Sequence, residues 1–564
     1  MTASPTPSFS TIDAELTAPG QLFEVEEVEI RGSKIRTWKH APPTYRLLLE
    51  TSRFHGDKEF VVYQDERITY EEHFRRAATL ATRLTDAYGV TKGDRVAIAM
   101  RNYPEWIIAF SATMAIGAVA VPLNAWWSRQ ELEFGLTDSG AKVLIVDGER
   151  AERLAGAGYD TRLIVTRPGN VELPPGARLF GDVLGDVAAG VALPPVELDP
   201  EDPATIFYTS GTTGRPKGAL ITHRNIGQSP MSVAYAMMRT VARAGLDPGE
   251  SLGERRVTLL TVPLFHVTGS FAVMTTTMFS GGGMVLMYKW DPGRALELIE
   301  REKVTTMSGV PTNAWQLLAH PDLKKHDISS LGSISYGGAP APPKLRERIT
   351  ELLPDRIPSN GYGMTETSSL AVFNSGADYA AKPDSIGVPL AVVDVKIADP
   401  AGGELPVGEI GELCMRGPNV IAGYWNRPDA TAETFVDGWV HTGDMARIDE
   451  EGFIYIVDRA RDMVIRGGEN VYCAEVEAAL FEHPAIDDAA VIGIPDDELG
   501  EQVGAVVKLA PGQAATADEL QGFLRDRIAS FKIPVRYWFY ENELPRNPGG
   551  KILKTRLRQE VLGS

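Results

Sequence analysis

Helix-forming and strand-forming runs alternate along most of this 564-residue chain, and no other feature of the sequence constrains the fold as tightly. RVAIAM (95–100) follows a helical stretch around 74–88, and KVLIVD (142–147) follows the amphipathic SRQELEFGLTDSG (128–140), with VAVPL (119–123) between them. This rhythm predicts a parallel or mixed sheet covered by helices. Two long uncharged stretches lie inside it, 106–128 and 257–288, and each is long enough to cross a bilayer. The first breaks at Gly117 and Pro122 and reads as a buried helix followed by a short strand. The second is rich in Thr and Gly, contains Pro263 and carries a single histidine, His266. Internal breaks of this kind suit α/β layers better than a lipid-facing helix, so no membrane span is expected.

The texture changes around residue 390. VVDVKIADP, GELCMRG and GFIYIVDRA are short strands separated by Gly turns, which predicts a smaller β-rich subdomain. After Arg461 a unit of about a hundred residues mixes helices (474–482 and 518–530) with strands (AAVIGIPD, VGAVVKLA and VRYWFY), as a compact α+β module does. The segment 167–203, rich in Pro and Gly, links two regions of the larger part. Length alone, at roughly 150 residues per unit, predicts three to four domain-sized pieces.

Composition narrows the class. Hydrophobic residues make up 43% and charged residues 23%, as in a globular protein with a large core. The net charge of −19 argues against non-specific nucleic-acid binding, which needs clustered Lys and Arg to neutralise phosphates. Cys414 and Cys473 form no CxxC pair and no His/Cys cluster in sequence, so neither a disulfide framework nor a structural zinc site is expected, and a cytoplasmic setting fits. The first thirty residues carry six acids and no Lys or Arg, unlike a secretory signal.

The densest local signal is YTSGTTGRPKGA (208–219). Three glycines and several hydroxyl residues between strand-like ATIFY and helical ITHRN offer many N–H and O–H donors, and Lys217 adds a cation; such a loop suits a polyphosphate. It is not a Walker A loop, and Gly549-Gly550-Lys551 is not one either, because Ile552 follows the lysine. In NGYGMTET (360–367), Tyr362, Thr365 and Glu366 suit a base, a phosphate and Mg²⁺ respectively, while a tight turn before a helix explains the same residues. GWVHTGD ends in Asp444, an acid placed to receive ribose hydroxyls, and Arg459 follows fifteen residues later. PRNPGGKILK (545–554) presents Lys551 on a Gly-Gly turn.

Together, in this order, these segments resemble the adenylate-forming superfamily of acyl-CoA synthetases, amino-acid adenylation domains and luciferase-type enzymes. The motifs that carry the likeness are YTSGTTGRPKGA, PLFHVTG (263–269), YGGAP (336–340), NGYGMTET, GELCMRGPNVIAGYW (411–425), HTGD, DRARDMVIRGGENVYCAEVE (458–477) and PRNPGGKILK. The likeness runs from about residue 45 to the end of the chain and leaves the preceding residues without a role. It implies a mixed α/β fold: an N-terminal adenylating domain over 1–460, with layered sheets and a β-rich subdomain, hinged at Arg461 to a mobile C-terminal α+β domain over 462–564.

The resemblance also implies two half-reactions. A carboxylate attacks the α-phosphate of Mg·ATP to give acyl-AMP and pyrophosphate, and the thiol of coenzyme A then displaces AMP. Thr209, Ser210, Gly211, Thr212, Thr213, Gly214 and Lys217 would hold the β- and γ-phosphates, Thr365 the α-phosphate and Glu366 the metal. Gly338, Ala339 and Pro340 would line the adenine, with Gly361, Tyr362, Gly363 and Met364 beside it, and Asp444 and Arg459 would grip the ribose. Lys551 would reach the reacting oxygens. After rotation at Arg461, Gly467, Gly468 and Glu469 would line the thiol tunnel, with His266 as its gate. Phe265, His266, Val267, Tyr336, Gly337 and Gly363 would surround the acyl group. The expected substrate is a medium- or long-chain fatty acid. Loading of a carrier protein and ligation of an aryl or steroid-like acid stand as alternatives, and a homodimer is the expected assembly. The overall acidity does not oppose polyanionic substrates, because residues 525–564, which include Lys551, hold nine basic against four acidic side chains.

Overall fold

The computed structural model describes residues 7–156, 161–209, 216–247, 255–337, 343–354, 356–459, 462–466, 469–496, 499–525, 527–546 and 551–563. The predicted mixed α/β architecture is present. One sheet has eight strands and a core of parallel neighbours: Val119–Pro122, Arg95–Ala99, Val143–Asp147 and Arg162–Thr166. Pro203–Thr209 joins it in parallel, and Lys217–Thr222 turns back antiparallel beside it. A second sheet has nine strands, with Ile357–Tyr362, Ser333–Gly337, Thr306–Gly309, Val257–Leu260, Gly283–Leu286 and Glu59–Tyr63 running parallel.

Both uncharged stretches are core. Pro104–Ala115 is a helix of 12 residues with every side chain buried except Glu105. A helix apolar all round has no solvent face and belongs inside. Trp106 stacks on Phe110 at 4.6 Å, and burying each of Trp106, Ile107, Ile108, Phe110 and Met114 stabilises the fold by about 1.5–3 kcal/mol. The second stretch is divided into strand Val257–Leu260, π-helical turns Thr268–Thr275, helix Thr276–Ser280 and strand Gly283–Leu286. No helix among the described residues is long and apolar enough to cross a membrane.

The β-rich part forms a five-stranded sheet built on Asp394–Ala398, Gly411–Arg416, Trp439–Ile448 and Ile454–Arg459. The last five-stranded sheet centres on the long hairpin of Ile486–Asp496 and Gly500–Leu509, with Arg536–Tyr540 parallel to the second strand. Helix Cys473–Phe481 matches its expectation. The next helix, Ala517–Arg525, stops short of the predicted 530, and Ser530–Lys532 forms a separate 3-10 turn just before Pro534. Ala529 takes an extended conformation (φ −60°, ψ 144°), so the helix cannot continue into Ser530.

Most of the described residues before 45, left without a role, are structured. VEEVEI and SKIRTW pair as a hairpin, Val25–Ile30 with Ser33–Trp38, through Arg31 and Gly32, both at positive φ. Trp38 Nε1 donates to Ser232 Oγ on the helix His223–Arg243, and Asp394 of the β-rich sheet pairs with both Arg36 (2.6 Å) and Arg416 (3.0 Å). The hairpin therefore fastens that helix to the β-rich sheet.

Candidate active site

Strand Pro203–Thr209 carries the first residues of the glycine-rich segment and Lys217–Thr222 the last, and α/β sheets bind ligands outside the carboxyl ends of their strands. Residues 210–215 lie outside the described residues, but the base of the loop is well held. Tyr208 OH donates to Asp138 Oδ2 (2.8 Å), Arg427 Nη2 donates to Asp138 Oδ1 (2.7 Å), and Trp425 N donates to Gly218 O (2.7 Å).

The Trp425 segment also supplies a residue that sequence reasoning missed. Tyr424 donates its hydroxyl to Glu366 Oε1 at 2.6 Å, while Lys217 Nζ sits 5.1 Å from the centre of the Tyr424 ring. One aromatic side chain thus spans the loop cation and the buried carboxylate. Burial and the adjacent Glu366 push the Tyr424 hydroxyl pKa upward, so it remains a donor. Tyr424 lies inside GELCMRGPNVIAGYW, but nothing in its local spacing points 58 residues back to Glu366.

Glu366 and Thr365 occupy a 3-10 turn, Thr365–Thr367, at the end of strand Ile357–Tyr362. Thr367 Oγ1 accepts from Met364 N (2.9 Å), and Ser368 and Ser369 both take positive φ to complete the turn. The turn closes tightly on Gly363, where an added Cβ would come within 1.5 Å of the Ser369 carbonyl oxygen. Tyr362 reaches the other way and donates its hydroxyl to Asp444 Oδ2 at 2.5 Å. Asp444 is only 5% exposed, and its strand register places it opposite Arg459. The two residues expected to grip a ribose are therefore cross-strand partners, although the Arg459 side chain lies outside the description.

A skip in register aims Asp444. Glu412 pairs with Met445 and Cys414 with His441, so the single residue Leu413 faces the whole Thr442-Gly443-Asp444 segment. Glu412 Oε1 accepts from Gly443 N (2.9 Å), and Thr442 Oγ1 donates to Leu413 O (2.7 Å), fixing the bulge.

Among the described residues, His266 makes no hydrogen bond to this cluster. Its Nε2 is buried without a hydrogen-bond partner among the described residues, and burial drives its pKa down to about 4, so the ring is neutral. The adjacent Phe265 lines a cavity of about 130 Å³ with Trp126, Tyr288 and Trp290; Arg101 and Lys289 contribute cations, and among the described residues no carboxylate lines it. Arg101 lies over the rings of Trp126 (4.7 Å) and Tyr288 (5.4 Å). Of the expected acyl-pocket residues, only Phe265 reaches this cavity. Val267 belongs to the main core. Strand alternation turns Tyr336 into the helix-covered face, where its hydroxyl bonds Tyr379 OH at 2.7 Å. Gly337 packs so closely on Gly361 that an added Cβ would meet the Gly361 oxygen at 2.4 Å.

Lys551 follows residues 547–550, which lie outside the description. Around it, Arg546 bridges Ile552 and Leu553 N donates to Pro545 O (2.8 Å), so the loop is closed at its base. Three residues on, Lys554 forms a partly buried ion pair with Glu477 at 2.7 Å, and Glu477 also accepts from Val491 N (2.7 Å). The loop is thereby anchored to the C-terminal sheet and helix Cys473–Phe481. Gly338, Ala339, Pro340, Arg461, Gly467 and Gly468 all lie outside the described residues, as does the Glu469 side chain.

Two buried carboxylates, Glu366 and Asp444, are thus each held by a tyrosine hydroxyl, and Lys217 lies over the ring of the tyrosine that holds Glu366. The AMP-binding enzyme family model matches residues 48–425, and that of the AMP-binding enzyme C-terminal domain matches 475–551. The chain belongs to the AMP-binding enzyme family. It is 39% identical over 492 residues to a feruloyl-CoA synthase of Amycolatopsis, covering 87% of this chain and 94% of that protein. It is 35% identical to a long-chain-fatty-acid–CoA ligase of Bacillus subtilis, over 91% of this chain and 94% of the relative. Among solved structures, the o-succinylbenzoate CoA synthetase of Bacillus subtilis in complex with its acyl-adenylate intermediate superposes with a TM-score of 0.76 at 31% identity. That match covers 91% of this chain and 97% of the other.

Proposed function

We propose that this AMP-forming acid–CoA ligase activates a carboxylic acid with an apolar tail, and that ring-bearing acids of the aryl-propenoic type are its preferred substrates. The 39% identity to a feruloyl-CoA synthase supports the aryl reading. A long-chain fatty acid is the second reading, supported by the relative at 35% identity. The observation that carries the activity is the pair of phenol–carboxylate bonds, Tyr424 to Glu366 and Tyr362 to Asp444, which hold two buried acids, one in the turn and one on the bulged strand.

A carboxylate is a weak nucleophile toward an anionic phosphate and a poor acyl donor. Adenylation makes its oxygen part of a good leaving group, and fixed cations offset the charge that builds on the phosphate. Lys217 and the loop donors hold the outer phosphates, Thr365 donates to the α-phosphate, and Asp444 with Arg459 accepts and steadies the ribose hydroxyls. Glu366 fits Mg²⁺: it is a buried hard-oxygen donor next to the phosphate turn, and the metal, when bound, supplies neutralisation of phosphate charge. Lys551 contributes its ammonium during adenylation. Rotation of 462–564 about Arg461 then withdraws it and brings Gly467, Gly468 and Glu469 to the thiol path. His266, neutral and with a pKa near 4, is too weak a base to deprotonate a thiol at pH 7 and acts as a gate. The cavity beside Phe265, with ring faces and two cations, suits the anionic nucleotide end of coenzyme A. A cytoplasmic setting is supported by two buried free thiols.

The test is release of pyrophosphate from ATP in the presence of coenzyme A and a panel of aryl-propenoic and fatty acids. Turnover with no acid in the panel overturns the activity, and faster turnover of fatty acids overturns the substrate preference. Lys551→Ala is expected to abolish adenylation while sparing thioester formation from supplied acyl-AMP. Equal loss of both steps contradicts the rotation.

A further inference from the structure

Away from the phosphate turn, the same β-rich sheet gathers three side chains of a different chemistry. Glu412 and Cys414, two apart on Gly411–Arg416, face the same side of the strand, and His441 is the cross-strand partner of Cys414. One donor atom from each lies within 4.8 Å of the other two. Cys414 Sγ is 3.6 Å from His441 Nδ1, and His441 Nδ1 is 2.7 Å from Glu412 Oε2.

These separations can be compared with a coordination sphere. Zinc bonds of about 2.3 Å to sulfur and 2.0–2.1 Å to nitrogen, at a tetrahedral angle, put S and N about 3.6 Å apart. The sulfur–nitrogen edge is therefore already at ligating distance. The nitrogen–oxygen edge needs about 3.3 Å by the same geometry, so the Glu412 carboxylate has to swing by roughly 0.6 Å. It has room to do so, because the side chains of His441 and Glu412 are 24% and 29% exposed. That exposure also gives an ion a path in. Lys396, opposite Cys414 on the next strand, is the nearby opposing cation, and its ammonium donates to Gly402 O (3.1 Å) and lies over Trp439 (5.0 Å).

We propose that Glu412, Cys414 and His441 form a site for a thiophilic divalent cation of the zinc class, with water as the fourth ligand. A sulfur, nitrogen and oxygen donor set selects such an ion over Mg²⁺, which takes oxygen ligands. On binding, the thiol proton leaves to solvent and the remaining imidazole proton sits on Nε2, so one proton is released per ion. The other oxygen of Glu412 holds Gly443 N, next to Asp444. An ion that fixes Glu412 therefore restrains the bulge carrying Asp444, and the site is a point of inhibition by zinc-class ions.

The test is cobalt(II) titration of the metal-free full-length protein. One ion per chain with tetrahedral visible bands and a near-ultraviolet thiolate-to-cobalt band is expected, displaced by zinc. Cys414→Ala and Cys414→Ser are each expected to lose the thiolate band, while Cys473→Ala, which removes the other buried thiol, keeps it. Zinc added over excess Mg²⁺ is expected to slow pyrophosphate release by the unmodified protein and not by Cys414→Ala. An octahedral cobalt spectrum without a thiolate band overturns the site, as does a band that survives in the Cys414 variants or disappears in Cys473→Ala. Should the Cys414 variants not fold, the unmodified protein and Cys473→Ala decide the matter. The cobalt readout is independent of which acid the enzyme activates.

Discussion

Gly363→Ala is the most informative single substitution in the candidate active site. An alanine Cβ would lie 1.5 Å from Ser369 O, 2.6 Å from Ser369 C and 3.3 Å from Leu370 Cα, all backbone atoms that no rotamer change can move. Contacts of this kind do not fall below 3.0 Å, so about 1.5 Å of separation is missing and the turn must shift by a comparable amount. That turn holds Thr365 and Glu366. A misplacement of about 1 Å near reacting groups costs on the order of 100-fold in rate, or about 2.7 kcal/mol of transition-state stabilisation. Overpacking costs a further 1–3 kcal/mol or so of stability, little enough for a chain this size to remain folded. The assay is acid-dependent pyrophosphate release, with circular dichroism to verify the fold. Gly522→Ala is the control: it lies exposed in helix Ala517–Arg525 with nothing within 4 Å, and the change is expected to stabilise by about 0.5–1 kcal/mol without touching activity. A folded Gly363→Ala enzyme with wild-type activity would refute the claim that this turn sets the phosphate and metal groups.

Further outcomes can be measured on the same protein. Lys554→Met leaves the partly buried Glu477 without its ion-pair partner and should destabilise the C-terminal unit by about 1–3 kcal/mol, read as faster proteolysis there; pairing it with Glu477→Leu should recover much of the loss. Arg101→Gln is expected to raise the KM for coenzyme A by about 10-fold or more, from loss of a charged contact, while adenylate formation proceeds; a raised KM for ATP instead would place the cavity on the nucleotide side. His73, His223 and His266 are held neutral by burial, with pKa values down to about 3, 4 and 4 against an ordinary 6.5. Between those values and pH 6.5 the unfolded chain binds the extra protons, so stability is full above pH 6.5 and falls as pH drops, by about 1.4 kcal/mol per unit for each histidine. Melting temperatures that stay level from pH 7.5 to pH 5 would contradict this.

Much of the architecture is legible in the residues because it rests on local periodicity. Helix Pro104–Ala115, strand Val119–Pro122 and helix Arg129–Ser139 fall where the apolar runs and breaks at Gly117 and Pro122 put them. The hairpin Val25–Ile30 with Ser33–Trp38 was not read from the sequence, because VEEVEI does not alternate strictly between apolar and polar residues. Its contacts with Ser232 and Asp394 lie some 200 and 360 residues away. Helix Ala517–Arg525 was overextended because a helical pattern by itself does not register that Ala529 turns extended before Ser530.

The site divides along the same line. The sequence by itself determined which residue types are available and in what order: a glycine-rich donor loop before Lys217, a turn with Thr365 and Glu366, Asp444 before Arg459, and Lys551 on glycines. Local spacing can do this because a turn or loop is a property of neighbours. Only the tertiary structure decided that Tyr424 spans Lys217 and Glu366, that Tyr362 holds Asp444, that Tyr336 turns into the core, and that Glu412 fixes the bulge beside Asp444. Those pairs are separated by as much as roughly 200 residues in sequence and leave no periodic trace. Their geometry is set by strand order, register and the face each side chain takes, which exist only once the sheets have formed.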